Sequence, residues 1–348
     1  MLAIACGPLV VHAQADYARV RPGMALKFPR DHGSHPQFRT EWWYITGWLK
    51  TADGREMGMQ ITFFRNRPRL AEDSASRFAP RQLLFAHAAL SRPEAGHLLG
   101  DQRAARAGFG LAEAAEGRME IAIEDWSLKA TEGGYAAEVV AREFRYALRF
   151  EARQPPLLQG DRGFSRKGPG PEQASYYYSL PQLAVKGSVV VENREVEVTG
   201  EAWLDHEWSS QYLAEDAIGW DWIGINLADG GALMAFRIRS RDGGTFWAGG
   251  SLRAADGRVR SLRPGEVKFI PRRHWRSPRS GAAYPVALRV EAGGVALDLE
   301  PLIDDQELDS RASTGAIYWE GAVRARQGEK ALGRGYLELT GYWKPLRF

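Results

Sequence analysis

Hydrophobic residues in this chain recur at every second position over short runs, and Gly, Pro or Asp closes most runs before a helical repeat can establish itself. A period of two is how a half-buried strand presents one face to a core. Glu41 to Lys50, Glu56 to Arg65, Gln82 to Ser91 and Met119 to Lys129 read as strands, with Ala52-Asp53-Gly54 turning the first into the second. The second half repeats the style in Trp220 to Leu227, Ala232 to Arg239, Thr245 to Arg253, Ala283 to Glu291, Val295 to Glu300, Ala316 to Ala325 and Gly333 to Tyr342. Asp229-Gly230, Asp242-Gly243 and Asp256-Gly257 supply hairpin turns. Twelve Trp, twelve Tyr and 38 Gly suit such strands and turns. One stretch, the Ala-rich Asp101 to Glu116, could form a helix, although Gly108 and Gly110 weaken it.

With 348 residues the chain has the length of two domains. A faint repeat agrees: Trp42, Tyr44 and Leu49 ahead of Asp53-Gly54 are echoed by Trp220, Trp222 and Leu227 ahead of Asp229-Gly230. So many short strands per half favour closed sheets over flat ones with exposed edges. The expected fold is all-β, with two antiparallel β-barrels at residues 22–208 and 209–348. A barrel of about eight strands leaves room for one apolar ligand.

Residues 1–15 contain no Lys, Arg, Asp or Glu, and the chain becomes polar from Asp16 onward. This reads as an export signal, cleaved after Ala13 or lipidated at Cys6, which predicts a periplasmic or otherwise exported protein and, with a lipid, contact with a membrane surface. Cys6 is the sole cysteine, so the mature chain has no disulfide framework or thiol nucleophile. The net charge of +3 and scattered arginines give no nucleic-acid footprint. His32 and His35 beside Asp31 have ligand-like spacing but lack a second His or Cys pair, so no metal is expected there. Dinucleotide, phosphate-loop and Gly-x-Ser-x-Gly motifs are absent, and no cofactor is expected.

Ionisable groups lie among aromatic residues in Asp31-His32-Gly33-Ser34-His35-Pro36, Glu41-Trp42-Trp43-Tyr44, Ala174-Ser175-Tyr176-Tyr177-Tyr178-Ser179, Trp203-Leu204-Asp205-His206-Glu207-Trp208 and Gly219-Trp220-Asp221-Trp222. Burial raises a carboxylate pKa, and an acid protonated near neutral pH can serve as a general acid. Asp205, Glu207 and Asp221 are the candidates, with His206 to orient one of them or relay a proton. The competing reading makes these charges structural ion pairs, which we prefer for Asp31, Glu41 and Glu207 and leave open for His206 and Asp221. Tyr177 points opposite to Tyr176 and Tyr178, so one face of that strand can line a cavity.

Phe28-Pro29-Arg30-Asp31-His32-Gly33, Glu41-Trp42-Trp43-Tyr44-Ile45-Thr46-Gly47, the segments around Tyr177, Asp205 and Asp221, and Gly335-Tyr336-Leu337-Glu338-Leu339-Thr340-Gly341-Tyr342 follow one another in an order that resembles the carotenoid 1,2-hydratase (hydroxyneurosporene synthase) and AttH-like family. The resemblance spans roughly Phe28 to Tyr342 and implies two lipocalin-like barrels packed on each other. It implies cofactor-free water addition to an isoprenoid, carotenoid or polyene alkene, and it matches His206 and Trp208 to a His-x-Trp element linked to catalysis. Phe236 to Ile238 departs from the family pattern by lacking Tyr-x-Asp.

Two functions remain in view. In the first, a hydratase or related lyase, Asp205 or Asp221 protonates the alkene, while Trp208, Trp220 and Trp222 stabilise the cation by about 0.5–2 kcal/mol per ring. Trp42, Tyr44, Tyr176, Tyr178, Trp220 and Trp222 would bind the ligand. In the second, the barrels carry a lipid-like molecule, alone or as accessory to a membrane transporter, and the acids only fix architecture. Convergence of His206, Trp208 and Asp221 on one cavity where the halves meet is the sharpest expectation.

Overall fold

The computed structural model describes residues 17–69, 72 and 74–346; the segment expected from the sequence to direct export, with Cys6, lies outside them. The first sheet comprises β1 (Thr40–Thr51), β2 (Glu56–Asn66), β3 (Leu83–Ser91), β4 (Leu98–Arg106), β5 (Ala112–Ala114), β6 (Glu120–Ile123), β7 (Trp126–Thr131), β8 (Gly134–Val140), β9 (Phe144–Glu151), β10 (Leu157–Leu158), β11 (Phe164–Arg166), β12 (Ala174–Val191) and β13 (Arg194–Gln211). The second comprises β14 (Ala217–Leu227), β15 (Ala232–Ser240), β16 (Thr245–Arg253), β17 (Val259–Leu262), β18 (Val267–Arg276), β19 (Ala283–Ala292), β20 (Val295–Pro301), β21 (Glu307–Ser310), β22 (Ala316–Gln327) and β23 (Lys330–Leu339). The pairings are antiparallel, and no α-helix occurs among the described residues.

Both sheets use one plan. The first strand lies between the second and the last: β1 between β2 and β13, β14 between β15 and β23. Each sheet therefore curls on itself as a barrel, with a seam after its fourth strand, at β4/β5 and at β17/β18. Trp42 and Tyr44 thereby stand in β1 where Trp220 and Trp222 stand in β14, as the sequence echo suggested.

Alternation explains the burial. In β9 the pattern Phe144-Arg145-Tyr146-Ala147-Leu148-Arg149-Phe150-Glu151 buries every second residue and exposes the others. Glu41, Trp43 and Ile45 of β1 and Leu204, His206 and Trp208 of β13 turn into the first barrel, and Asp221, Ile223 and Ile225 turn into the second. The opposite faces of β1, β13 and β14 meet in a third apolar cluster, with Tyr44, Trp48, Tyr177, Trp203, Trp222 and Phe236. Trp48 Nε1 donates to Gly335 O across this contact at 2.9 Å.

Two sequence expectations are corrected. Asp101 to Glu116 is strand β4, a turn and strand β5, because Gly108 and Gly110 take φ of +88° and +71°, outside the helical region. Met119 to Lys129 is a hairpin rather than one strand, with Glu124 at φ +52° between β6 and β7.

Candidate active site between the sheets

A cavity of about 340 Å³ opens where the two barrels meet. Trp42, Tyr44, Trp220 and Trp222, four of the six residues named from the sequence as ligand-binding candidates, line it. Their rings interlock: Trp42 with Tyr212 at 5.0 Å, Tyr212 with Trp220 at 5.7 Å, and Tyr44 edge-on to Trp222 at 5.3 Å between centroids. Phe64, Phe85 and Phe236 extend the apolar wall, and half-exposed Asn66, Ser313 and Leu346 lie at its rim.

Asp205 and Glu207 from β13 and Glu320 from β22 enter this wall as buried carboxyl groups, and the half-buried Glu338 joins them from β23. Asp205 accepts hydrogen bonds from Tyr177 Oη at 2.6 Å, Trp203 Nε1 at 2.7 Å and Ser179 Oγ, yet burial still lifts its pKa to about 7. Glu207 pairs with Lys167 Nζ at 2.8 Å and accepts from Ser175 Oγ. Burial raises Glu207 and lowers Lys167, each offset in part by the other. The Lys167 ammonium lies over the rings of Tyr177 and Phe236, at 4.8 and 4.3 Å.

Glu320 and Glu338 sit opposite each other across β22 and β23. Among the described residues neither has a cationic partner within ion-pair distance, so burial and mutual repulsion push Glu320 well up, and burial raises Glu338 to about 7. Trp220 Nε1 donates to Glu338 Oε2 at 2.7 Å. Glu320 Oε1 and Tyr44 Oη adjoin each other without a well-formed hydrogen bond, and neither finds another partner among the described residues.

The expected convergence of His206, Trp208 and Asp221 does not occur. One strand cannot send neighbouring side chains to the same side, and Asp205 holds the cavity face of β13. His206 is sealed inside the first barrel, between Glu41 Oε1 at 2.9 Å and Tyr178 Oη at 3.2 Å, and burial lowers its pKa to about 4. Trp208 stacks on His35 with centroids 3.8 Å apart. Asp221 is buried in the second barrel, where Arg237 Nε at 2.6 Å, Arg239 Nε at 3.1 Å and Tyr342 Oη at 2.9 Å surround its carboxylate. Tyr176 and Tyr178 also leave the cavity, Tyr176 to bond Arg21 O at 3.0 Å and Tyr178 to meet His32 Nδ1 at 2.6 Å; Tyr177 is the tyrosine of that strand that lines it.

Nitrogen and oxygen atoms of His35, Glu41 and His206 come within 4.8 Å of one another, close enough to share a metal ion. The Arg65 guanidinium already sits 2.8 Å from Glu41 Oε2, and the His35 ring is 2.7 Å from Oε1. Burial alone would raise Glu41, but Arg65, His206 and His35 hold it well below the usual carboxylate range. The cluster is therefore an ion-pair network with Arg65 in the cation's place.

The sequence reading missed Glu320, Glu338, Lys167 and Tyr212. The two glutamates carried a signal: each stands in an apolar strand run, Ile317-Tyr318-Trp319-Glu320 and Tyr336-Leu337-Glu338-Leu339, with no basic residue among these neighbours.

Residues 19–342 match the model of the AttH-like family. A comparison with curated proteins finds no match. Among solved structures, an AttH candidate from Nitrosomonas europaea is 52% identical, with 93% of this chain and 99% of that chain covered and a TM-score of 0.88. Kievitone hydratase from Nectria haematococca is 13% identical, with 95% and 97% covered and a TM-score of 0.69, and shares the fold. The chain belongs to the AttH-like family.

Proposed function

We propose that this protein is a hydratase or related lyase that adds water to an isoprenoid, carotenoid or polyene alkene in the cavity between the barrels. The observation that carries the reading is the set of carboxyl groups held up by burial in an aromatic wall, Asp205 and Glu338 to about 7. Such acids stay partly protonated at neutral pH, as general-acid catalysis requires. That the shared fold also serves a hydratase supports the reading by analogy.

Of the two, Glu338 is the proton donor, because three donors already occupy both oxygens of Asp205. Asp205 instead fixes Tyr177, which in turn accepts from Trp222 Nε1 at 3.1 Å and holds that ring against the cavity. In the reaction the Glu338 proton forms the new C–H bond as the alkene π bond breaks. Trp220 and Trp222 face the carbocation, a water oxygen forms the C–O bond, and the proton released from that water returns to Glu338. The sum is alkene plus water to alcohol, with no oxidant or reductant. We further propose export to the periplasm, on the uncharged segment 1–15.

Glu338→Gln tests the reading on prenylated phenols, squalene and lycopene. The expected result is retained binding of the substrate with turnover lowered at least about 100-fold, the usual scale of general-acid catalysis. Turnover unchanged by the substitution would overturn it. Binding with no turnover even in wild type would instead favour a carrier.

A further inference from the structure

The cavity corner between β1 and β22 has an internal direction. The Asp309 carbonyl can only accept, so Gln102 turns Nε2 toward it at 2.8 Å and leaves Oε1 for Ser313, whose hydroxyl donates at 2.7 Å. Ser313 Oγ then accepts from His87 Nε2–H at 2.9 Å. His87 is neutral, since burial lowers its pKa to about 3, and its Nδ1 therefore accepts from Tyr318 Oη at 2.8 Å. Tyr318 has one hydroxyl proton for two neighbours: the bond to His87 leaves only lone pairs for the adjoining Glu320 carboxyl, whereas a bond to Glu320 would lower its pKa. A carboxylate there would meet lone pairs, whereas a protonated Glu320 donates to Tyr318 and keeps its other oxygen as a neutral acceptor.

Glu320 Oε1 and Tyr44 Oη adjoin each other without a well-formed hydrogen bond and find no other partner among the described residues; their residues are 3% and 6% exposed, and both line the cavity. Left unbonded, such atoms carry a desolvation cost that a ligand removes by bonding to them.

We propose that Glu320 and Tyr44 form the hydroxyl subsite of the cavity, which holds the water that adds to the alkene and then the hydroxyl of the product, with His87 as the positioning residue that keeps Glu320 an acceptor there. This rests on the hydratase reading. The subsite adjoins Glu338, so a water held by it releases its proton to the group that has just given one up.

The test uses linalool and myrcene, an alcohol and an alkene that differ by one water, with binding followed by quenching of the tryptophans that line the cavity. Wild type binds linalool about tenfold or more tightly than myrcene, the scale of satisfying a buried polar group. Tyr44→Phe, the conservative change, and Glu320→Leu both collapse that preference and leave myrcene binding within about twofold. Equal binding in wild type, a preference that survives both substitutions, or no binding of either molecule overturns the subsite. A preference without turnover on any alkene supports the subsite and removes the reaction, so the two failures are told apart. His87→Phe frees Tyr318 to donate to Glu320, and the Glu320 carboxyl carbon, followed by NMR, then titrates at lower pH than in wild type. An unchanged titration removes His87 from the device.

Discussion

Asp221 illustrates how one side chain's direction decides its role. It lies between two cavity-lining tryptophans, yet its carboxylate faces Arg237, Arg239 and Tyr342 inside the second barrel. Asp221→Ala strands the buried Arg239 and the part-buried Arg237 guanidinium groups and should cost about 3–5 kcal/mol of stability, while the folded fraction keeps full turnover. Chemical denaturation alongside the assay checks both halves, and lost turnover at unchanged stability would return Asp221 to the mechanism.

Buried acids of opposite shift give a second residue-scale outcome. Asp205 and Glu338 move from reference values of 3.8 and 4.5 up to about 7, so the folded state holds their protons more tightly. Their stabilising contribution is complete below the unfolded values and is lost as pH rises through 7. Glu41 is held low, so its contribution is present above 4.5 and is lost as pH falls. Melting temperatures from pH 5 to 8 should decline in wild type and flatten when Asp205→Asn and Glu338→Gln are combined; an unchanged slope would show that these acids ionise normally.

Among the elements, close approach of the sheets is set by glycine as much as by the aromatics. A Cβ on Gly58 of β2 would come within 2.5 Å of Tyr336 Oη and 2.7 Å of Ala322 Cβ. Gly58→Ala should therefore cost about 1–3 kcal/mol by prying β2 from β22, and a melt unchanged from wild type would show that the contact is soft. Strand periodicity was legible in the sequence, as the opposite directions expected for Tyr177 and its neighbours Tyr176 and Tyr178 illustrate. Which face of β13 meets the cavity was not, because Trp203-Asp205-Glu207 and His206-Trp208 are alike in mixing aromatics with ionisable groups. Only the pairing of β13 with β1 and β12, and the packing of the second sheet on it, breaks that tie. Glu320 and Glu338 join Asp205 through β22 and β23, more than a hundred residues away in sequence, a proximity that no local spacing encodes.

For the whole molecule, two barrels of one plan enclose a site that neither makes alone: Tyr44, Asp205 and Glu207 come from the first sheet, Trp222, Glu320 and Glu338 from the second. The central claim is that water adds to an alkene there without a cofactor. Its most direct measurement is the mass spectrum of products formed from prenylated phenols, squalene and lycopene in ¹⁸O-water by protein dialysed against a chelator. Wild type should yield an alcohol carrying one ¹⁸O, and Glu338→Gln none. Absence of that alcohol for every alkene offered, or its formation only after a metal ion is restored, would contradict the claim.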